Sequence, residues 1–136
     1  MKTKIKMVIK VNTFLMFILL SYSAYSQTTD WIAPSESTNL VNPLKGDAKA
    51  LSKGKKIYYQ ICANCHGRTG IGDGPGGANF DPKPANHTSA EVQNQSDGEL
   101  YWKIKNGRDE MPTYNELLSK TQRWQVIEYI RFLNKN

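Results

Sequence analysis

The sequence predicts an all-α domain whose helices are separated by long Gly/Pro-rich loops, and three observations carry that reading. Apolar residues recur at spacings of three and four before residue 62 and again after residue 123. Ser96-Asp97-Gly98-Glu99 and Ser119-Lys120-Thr121-Gln122 have the Ser-x-x-Glu/Gln spacing in which side chain and backbone cap a helix start reciprocally. Between these helical stretches, glycine and proline are too dense for either regular structure.

Residues 1–26 read as an export signal. Lys2, Lys4, Lys6 and Lys10 form a basic head, an apolar run centres on Phe14 to Leu20, and Ala24-Tyr25-Ser26 offers small-x-small before Gln27, so cleavage is expected after Ser26. An uncleaved anchor is the competing reading, but Lys10 and Asn12 leave the run shorter than the ~20 apolar residues a spanning helix needs. Export places the chain in the periplasm. Cleavage leaves 110 of the 136 residues, enough for one domain but with a marginal core if apolar side chains alone fill it. It also changes the charge: the 18 Lys and Arg fall to 14 against 12 Asp and Glu, so the basicity is mostly the signal's and nucleic-acid binding gains no support.

Residues 27–45, with Pro34 and Pro43, predict an extended N-terminal arm anchored by Trp31, and the domain proper is expected over residues 46–136. Asp47 can cap a helix running to about Ile61, with Ala50, Gly54, Ile57, Tyr58 and Ile61 on one stripe. Lys45, Lys49, Lys53, Lys55 and Lys56 populate its remaining surface, as a solvated face or a patch for an acidic redox partner.

The stripe ends in Cys62-Ala63-Asn64-Cys65-His66, which holds both cysteines and one of the two histidines. This spacing is that of covalent haem attachment: two thiols reach one edge of a single porphyrin as thioethers, and the next residue, His66, can ligate the iron. A zinc site would need all of Cys62, Cys65, His66 and His87. A thioredoxin-like pair wants a βαβ context that is missing, and a disulfide here closes too short a loop to constrain the unfolded chain much. One haem c, covalent through Cys62 and Cys65, also supplies the apolar interior a chain of this size lacks, so haem insertion and folding should be linked.

After His66, six of the ten glycines fall within Gly67–Gly77, too many for helix or strand, and a structureless loop continuing to Gln95 is expected to wrap the haem. A phosphate loop is discounted, because no strand precedes the glycines and no Gly-Lys-Ser/Thr ends them. A loop carbonyl, with Pro75 the nominee, should accept the remaining ring N–H of His66. The helix opened by Ser96 should stop at Asn106-Gly107. Met111 then stands in a polar segment before Pro112, and Met1, Met7 and Met16 all leave with the signal. Pro112 holds Met111 extended, where its thioether can point outward. Met111 is therefore the expected sixth ligand, with His87 and an open position as alternatives. The last helix should run to Leu133 and lay Val126 and Tyr129 across Gly54 and Tyr58.

Over nearly all of its mature length the chain resembles a small class I, monohaem c-type cytochrome. The likeness rests on Gly54 and Tyr58 before Cys62, on Met111-Pro112, and on Trp124 to Leu133. Trp31, Pro34 and Asn42-Pro43, with Gly72-Asp73-Gly74-Pro75 and Pro82-Lys83-Pro84, are similar to cytochromes of bacterial respiratory chains, some of them subunits of quinol-oxidising complexes. The resemblance implies a cytochrome c fold with one haem edge exposed, His66 proximal and Met111 distal, and a non-enzymatic single-electron carrier. It implies a quinol-oxidising complex as donor, a haem-copper oxidase or a reductase of oxidised nitrogen compounds as acceptor, and no small-molecule substrate. Membrane association would then come only through partner complexes or an uncleaved signal. A haem enzyme or gas sensor is the other class, and it would need an open distal position. No third histidine and no cluster of carboxylates supports acid–base chemistry.

Overall fold

The computed structural model describes residues 31–134, so the export signal and residues 27–30 of the arm lie outside the described residues. Helix α1 spans Ala48–Ile57 and starts where the Asp47 carboxylate accepts from the backbone N–H groups of Lys49 (2.7 Å) and Ala50 (3.1 Å). It continues unbroken through a π-helical turn, Tyr58–Cys62, into α2, Ala63–His66. The helix therefore runs five residues past its expected end near Ile61. Positions five apart on a regular helix point about 140° away from each other. The wider turn absorbs a residue, and both Tyr58 and Ala63 are buried.

Three further helices follow: α3, Ala90–Gln93; α4, Asp97–Asn106; and α5, Lys120–Leu133. Both expected capping boxes form. Ser96 N–H donates to Glu99 (2.6 Å) while Glu99 N–H donates to Ser96 Oγ (3.2 Å), and Ser119 and Gln122 exchange the same pair at 2.9 and 3.2 Å. Gly107 ends α4. Among the described residues there is no β-strand, only an isolated bridge between Arg108 and Met111. No described helix is long and apolar enough to cross a membrane.

The core forms where α1 crosses α5. A Cβ placed on Gly54 would sit 1.8 Å from the Gln125 carbonyl oxygen, so only glycine lets the two backbones approach this closely. Around that crossing Tyr58, Val126 and Ile127 are fully buried, and the Tyr58 and Tyr129 rings meet edge to face with centroids 5.1 Å apart. Each such side chain contributes about 1.5–3 kcal/mol on burial. Leu100, Tyr101 and Ile104 of α4 complete the cluster, with Tyr101 stacked on Trp124 at 4.2 Å.

Two stretches differ from the sequence reading. The arm is not extended throughout, since Ser35–Asn39 form a 3-10 turn, and the compact unit begins at Ala33 rather than at residue 46. The Ser37 and Thr38 hydroxyls close the turn by donating to the carbonyls of Pro34 (2.6 Å) and Ser35 (2.7 Å), and the arm is anchored where the Asn42 amide donates to Asp97 (3.0 Å) and Glu128 (2.7 Å) and Gly46 N–H donates to the other Glu128 oxygen (2.8 Å). The stretch after the haem motif is also not wholly structureless. Pro75–Gly77 form a 3-10 turn, and Ser89 caps the single turn of α3, whose Val92 is buried.

Candidate haem site

The π-turn and α2 together place the motif on one continuous helical surface. Cys62 and Cys65 are both unpaired and half-buried, with no disulfide between them. Burial, with Cys65 beside it, pushes the Cys62 thiol up to about 12. A nucleophilic redox pair needs a thiol pulled down toward neutrality. Cys62 therefore gains no nucleophilic character from its surroundings.

His66 closes the helix, and its Nδ1 lies 3.0 Å from the Ala85 carbonyl oxygen. A carbonyl can only accept, so Nδ1 carries the proton and Nε2 is the nitrogen left with a lone pair for a metal. A loop carbonyl does orient the ring, as the sequence suggests, but it is Ala85 and not Pro75. Pro75 is the first residue of a 3-10 turn, and its carbonyl accepts from Ala78 N–H instead. Burial lowers the pKa of His66, while the Ala85 bond works in the opposite direction.

The glycine-rich loop folds tightly back over the motif. Gly72 N–H donates to the His66 carbonyl (2.9 Å) and Gly74 N–H to the Cys65 carbonyl (3.1 Å). A Cβ on Gly74 would meet the Asn64 carbonyl oxygen at 2.4 Å and the Cys65 carbonyl carbon at 2.6 Å, so this position tolerates no side chain.

His87 stands next to His66, with ring centroids 4.1 Å apart and planes 18° from parallel. Two axial ligands must approach one iron from opposite sides, and rings stacked side by side cannot. The stacked geometry therefore lends His87 no support as a sixth ligand. It also leaves a tetrahedral zinc site without its fourth member, and among the described residues no three His, Cys, Asp or Glu side chains gather as a bare metal ion would need. Burial, and His66 beside it, hold the pKa of His87 well below its ordinary value, so it is neutral at physiological pH.

Met111 occupies a tight turn in which Arg108 and Met111 exchange both backbone hydrogen bonds at 2.9 Å. Thr113 Oγ1 then donates to the Lys105 carbonyl (2.6 Å) and Tyr114 N–H to the Ile104 carbonyl (3.2 Å), stapling the segment to the end of α4. Met111 and Tyr114 are half-buried against the core, as are Ile61 and Cys62. Burial, with both thiols adding to it, pushes the Tyr114 hydroxyl up to about 12. Cys62 and the Met111 turn thus pack against the same apolar cluster, and thiols, an oriented imidazole and a thioether are residues of the types that fit a haem c.

The role of Arg123 and the hydroxyl contacts of Tyr58 escape the sequence reading. Arg123 is buried beneath the Met111 segment, where its guanidinium donates to the carbonyls of Tyr114 (3.1 Å), Asn115 (2.9 Å) and Leu118 and to the Tyr101 hydroxyl (2.9 Å). An arginine inside the apolar face of the last helix is the signal that could have found it. The Tyr58 hydroxyl meets the Gly67 carbonyl (3.1 Å) and His87 Nδ1 (3.2 Å), a contact no local pattern announces.

A helical fold with a Cys-x-x-Cys-His turn and a carbonyl-oriented histidine is that of a c-type cytochrome. Residues 49–130 match the family described as cytochrome c oxidase, cbb3-type, subunit III, and the chain belongs to that family. It is also similar to a chain of the reducing HAO-like protein complex of Kuenenia stuttgartiensis, with a TM-score of 0.60 and 30% identity over 71% of this chain and 48% of that one. The chain spans about half the length of that neighbour. Membership makes it a haem-binding electron-transfer cytochrome, with haem c as its cofactor.

Proposed function

We propose that the chain carries single electrons on one six-coordinate haem c, attached through Cys62 and Cys65 and ligated by His66 and Met111, outside the cytoplasm. The observation that supports this is a Cys-x-x-Cys-His turn with two unpaired thiols and a histidine whose Nδ1 is already committed to Ala85, with the Met111 segment packed against the same core cluster as Cys62. When bound, the haem supplies an iron that cycles between ferrous and ferric states. The chain's part is to keep the ligands where they are in both states, and a soft thioether from Met111 with burial from water favours the ferrous form. Redox proteins are the partners: a quinol-oxidising complex as donor, an oxidase or reductase as acceptor. Export with cleavage after Ser26 belongs to the same reading, and N-terminal sequencing of the secreted protein checks it.

The optical spectrum tests the ligation. The oxidised protein should show the weak far-red band of sulfur bound to ferric iron, and Met111→Ala should abolish it and open the reduced protein to carbon monoxide. Avid carbon monoxide binding by the unmutated protein would instead indicate an enzyme or sensor. Haem colour should stay with the polypeptide through denaturing electrophoresis, and Cys62→Ala with Cys65→Ala should release it.

A second reading, a cytochrome subunit held permanently in a larger assembly, is favoured by two observations. The matching family is described as an oxidase subunit, and the structural neighbour is part of a protein complex. Co-purification with a membrane complex in mild detergent, with no soluble pool, would select it.

A further inference from the structure

We propose that His87 is a positioning residue for His66: its ring is the wall that sets the plane of the ligating imidazole, and Tyr58 is the post that fixes the wall. The proposal rests on the reading of His66 as the iron ligand. The hydrogen bond from Nδ1 to Ala85 fixes one direction in the His66 ring but leaves the ring free to rock about that line. A flat face stacked at 4.1 Å, nearly parallel, removes the remaining freedom. Carbonyl and face both come from the short stretch Pro84-Ala85-Asn86-His87, so they move together.

That stretch is itself immobilised. His87 N–H donates to the Gly70 carbonyl (2.6 Å), and Gln93 Nε2 donates to the His87 carbonyl (2.5 Å). The Asn86 side chain accepts from Thr88 N–H at 2.8 Å, closing a local turn. The ring end is held by Tyr58. A phenol has one proton, and the Gly67 carbonyl can only accept, so the Tyr58 hydroxyl donates to Gly67 and His87 Nδ1–H donates to the Tyr58 oxygen. Tyr58 is fully buried at the helix crossing, which ties the orientation of the His66 ring to the packed core. A leucine at position 87 could cover His66 but could not be pinned this way. Partners that orient a metal-bound histidine tune the metal as well as hold it.

The plane of a ligating imidazole selects the iron orbital that holds the unpaired ferric electron, so it is read directly by the electron paramagnetic resonance g-values and by the spread of the haem-methyl proton shifts. The experiment compares holoprotein carrying His87→Ala, His87→Phe and Tyr58→Phe with the unmutated protein. His87→Ala should broaden and shift the low-field resonance and rearrange the methyl pattern. His87→Phe, which restores a flat face, should return most of the original signature, and Tyr58→Phe should shift it less than His87→Ala does. If His87→Ala does not retain haem, His87→Leu takes its place against His87→Phe. The proposal is overturned if the spectra stay unmoved while only the melting temperature falls, or if His87→Phe departs as far as His87→Ala. An unmutated protein without a low-spin ferric spectrum would sink the ligation reading, whereas a normal parent with unmoved variants sinks this proposal alone.

Discussion

Gly54→Ala is the sharpest probe of the helix crossing. The added Cβ would lie 1.8 Å from the Gln125 carbonyl oxygen, 2.5 Å from its carbon and 3.2 Å from Val126 N, all backbone atoms that no rotamer change can move. Ordinary contact begins near 3.4 Å, so α1 and α5 must separate by roughly 1.6 Å along that line. Overpacking typically costs about 1–3 kcal/mol. The upper end applies here, because the separation loosens Tyr58, Val126 and Ile127 together. Alanine recovers about 1 kcal/mol of helix propensity. The net loss is then about 2 kcal/mol, or a melting temperature lower by about 8–16 °C for a domain of this size. Thermal melts of the holoprotein, followed at 222 nm and in the Soret band, measure it. A melting temperature unchanged or raised would refute the reasoning, since it would mean the backbones are not in contact at Gly54.

Arg123→Met should destabilise by about 2–4 kcal/mol, because it strips donors from several buried carbonyls at once, and the far-red band should weaken as the Met111 segment loosens; chemical denaturation and the optical spectrum read the two effects. Tyr114 ionises late, near 12 rather than 10, mainly through burial. A raised folded-state pKa means that its contribution to stability is complete below pH 10 and is lost as pH climbs toward 12, so Tyr114→Phe should flatten that alkaline decline; identical profiles would contradict the assignment. In the haem-bound protein only the burial part persists, since thioethers do not ionise. Haem-free protein should lose most of its helical circular dichroism, and persistence of the native signal would show that α1, α4 and α5 close without the cofactor.

Much of this molecule is legible in the sequence because its instructions are local. Asp47, Ser96 and Ser119 each announce a helix start within three residues, and the Cys62–His66 turn carries its chemistry in five. The α1–α5 contact is legible too, since Gly54 is costly inside a helix unless something must come close. What stays hidden is decided across long sequence separations. Ala85 rather than Pro75 accepts the hydrogen bond from His66 Nδ1–H, and His87 stacks on His66, because the loop is drawn in by Gly70 and Gln93. The π-turn has no signature in composition, and the arm is tied down by Asn42 finding Asp97 and Glu128.

The two loops that carry or adjoin the proposed iron ligands are each tied to the α1–α5 frame by a buried polar side chain, helped in the first by Gln93, whose amide reaches the carbonyls of both His87 and Ile130. Tyr58 fastens the 84–87 stretch through His87 and Gly67, and Arg123 fastens the 111–118 stretch through three carbonyls. Neither anchor is itself a ligand. They share no partner, so their losses should add within a few tenths of a kcal/mol in the double variant Tyr58→Phe with Arg123→Met. Each single variant should loosen the ligand on its own side and leave the other side's spectroscopic signature in place. On the proposed ligation, such a frame would hold both loops by bonds that do not involve the iron, and that independence would keep rearrangement small when an electron arrives or leaves.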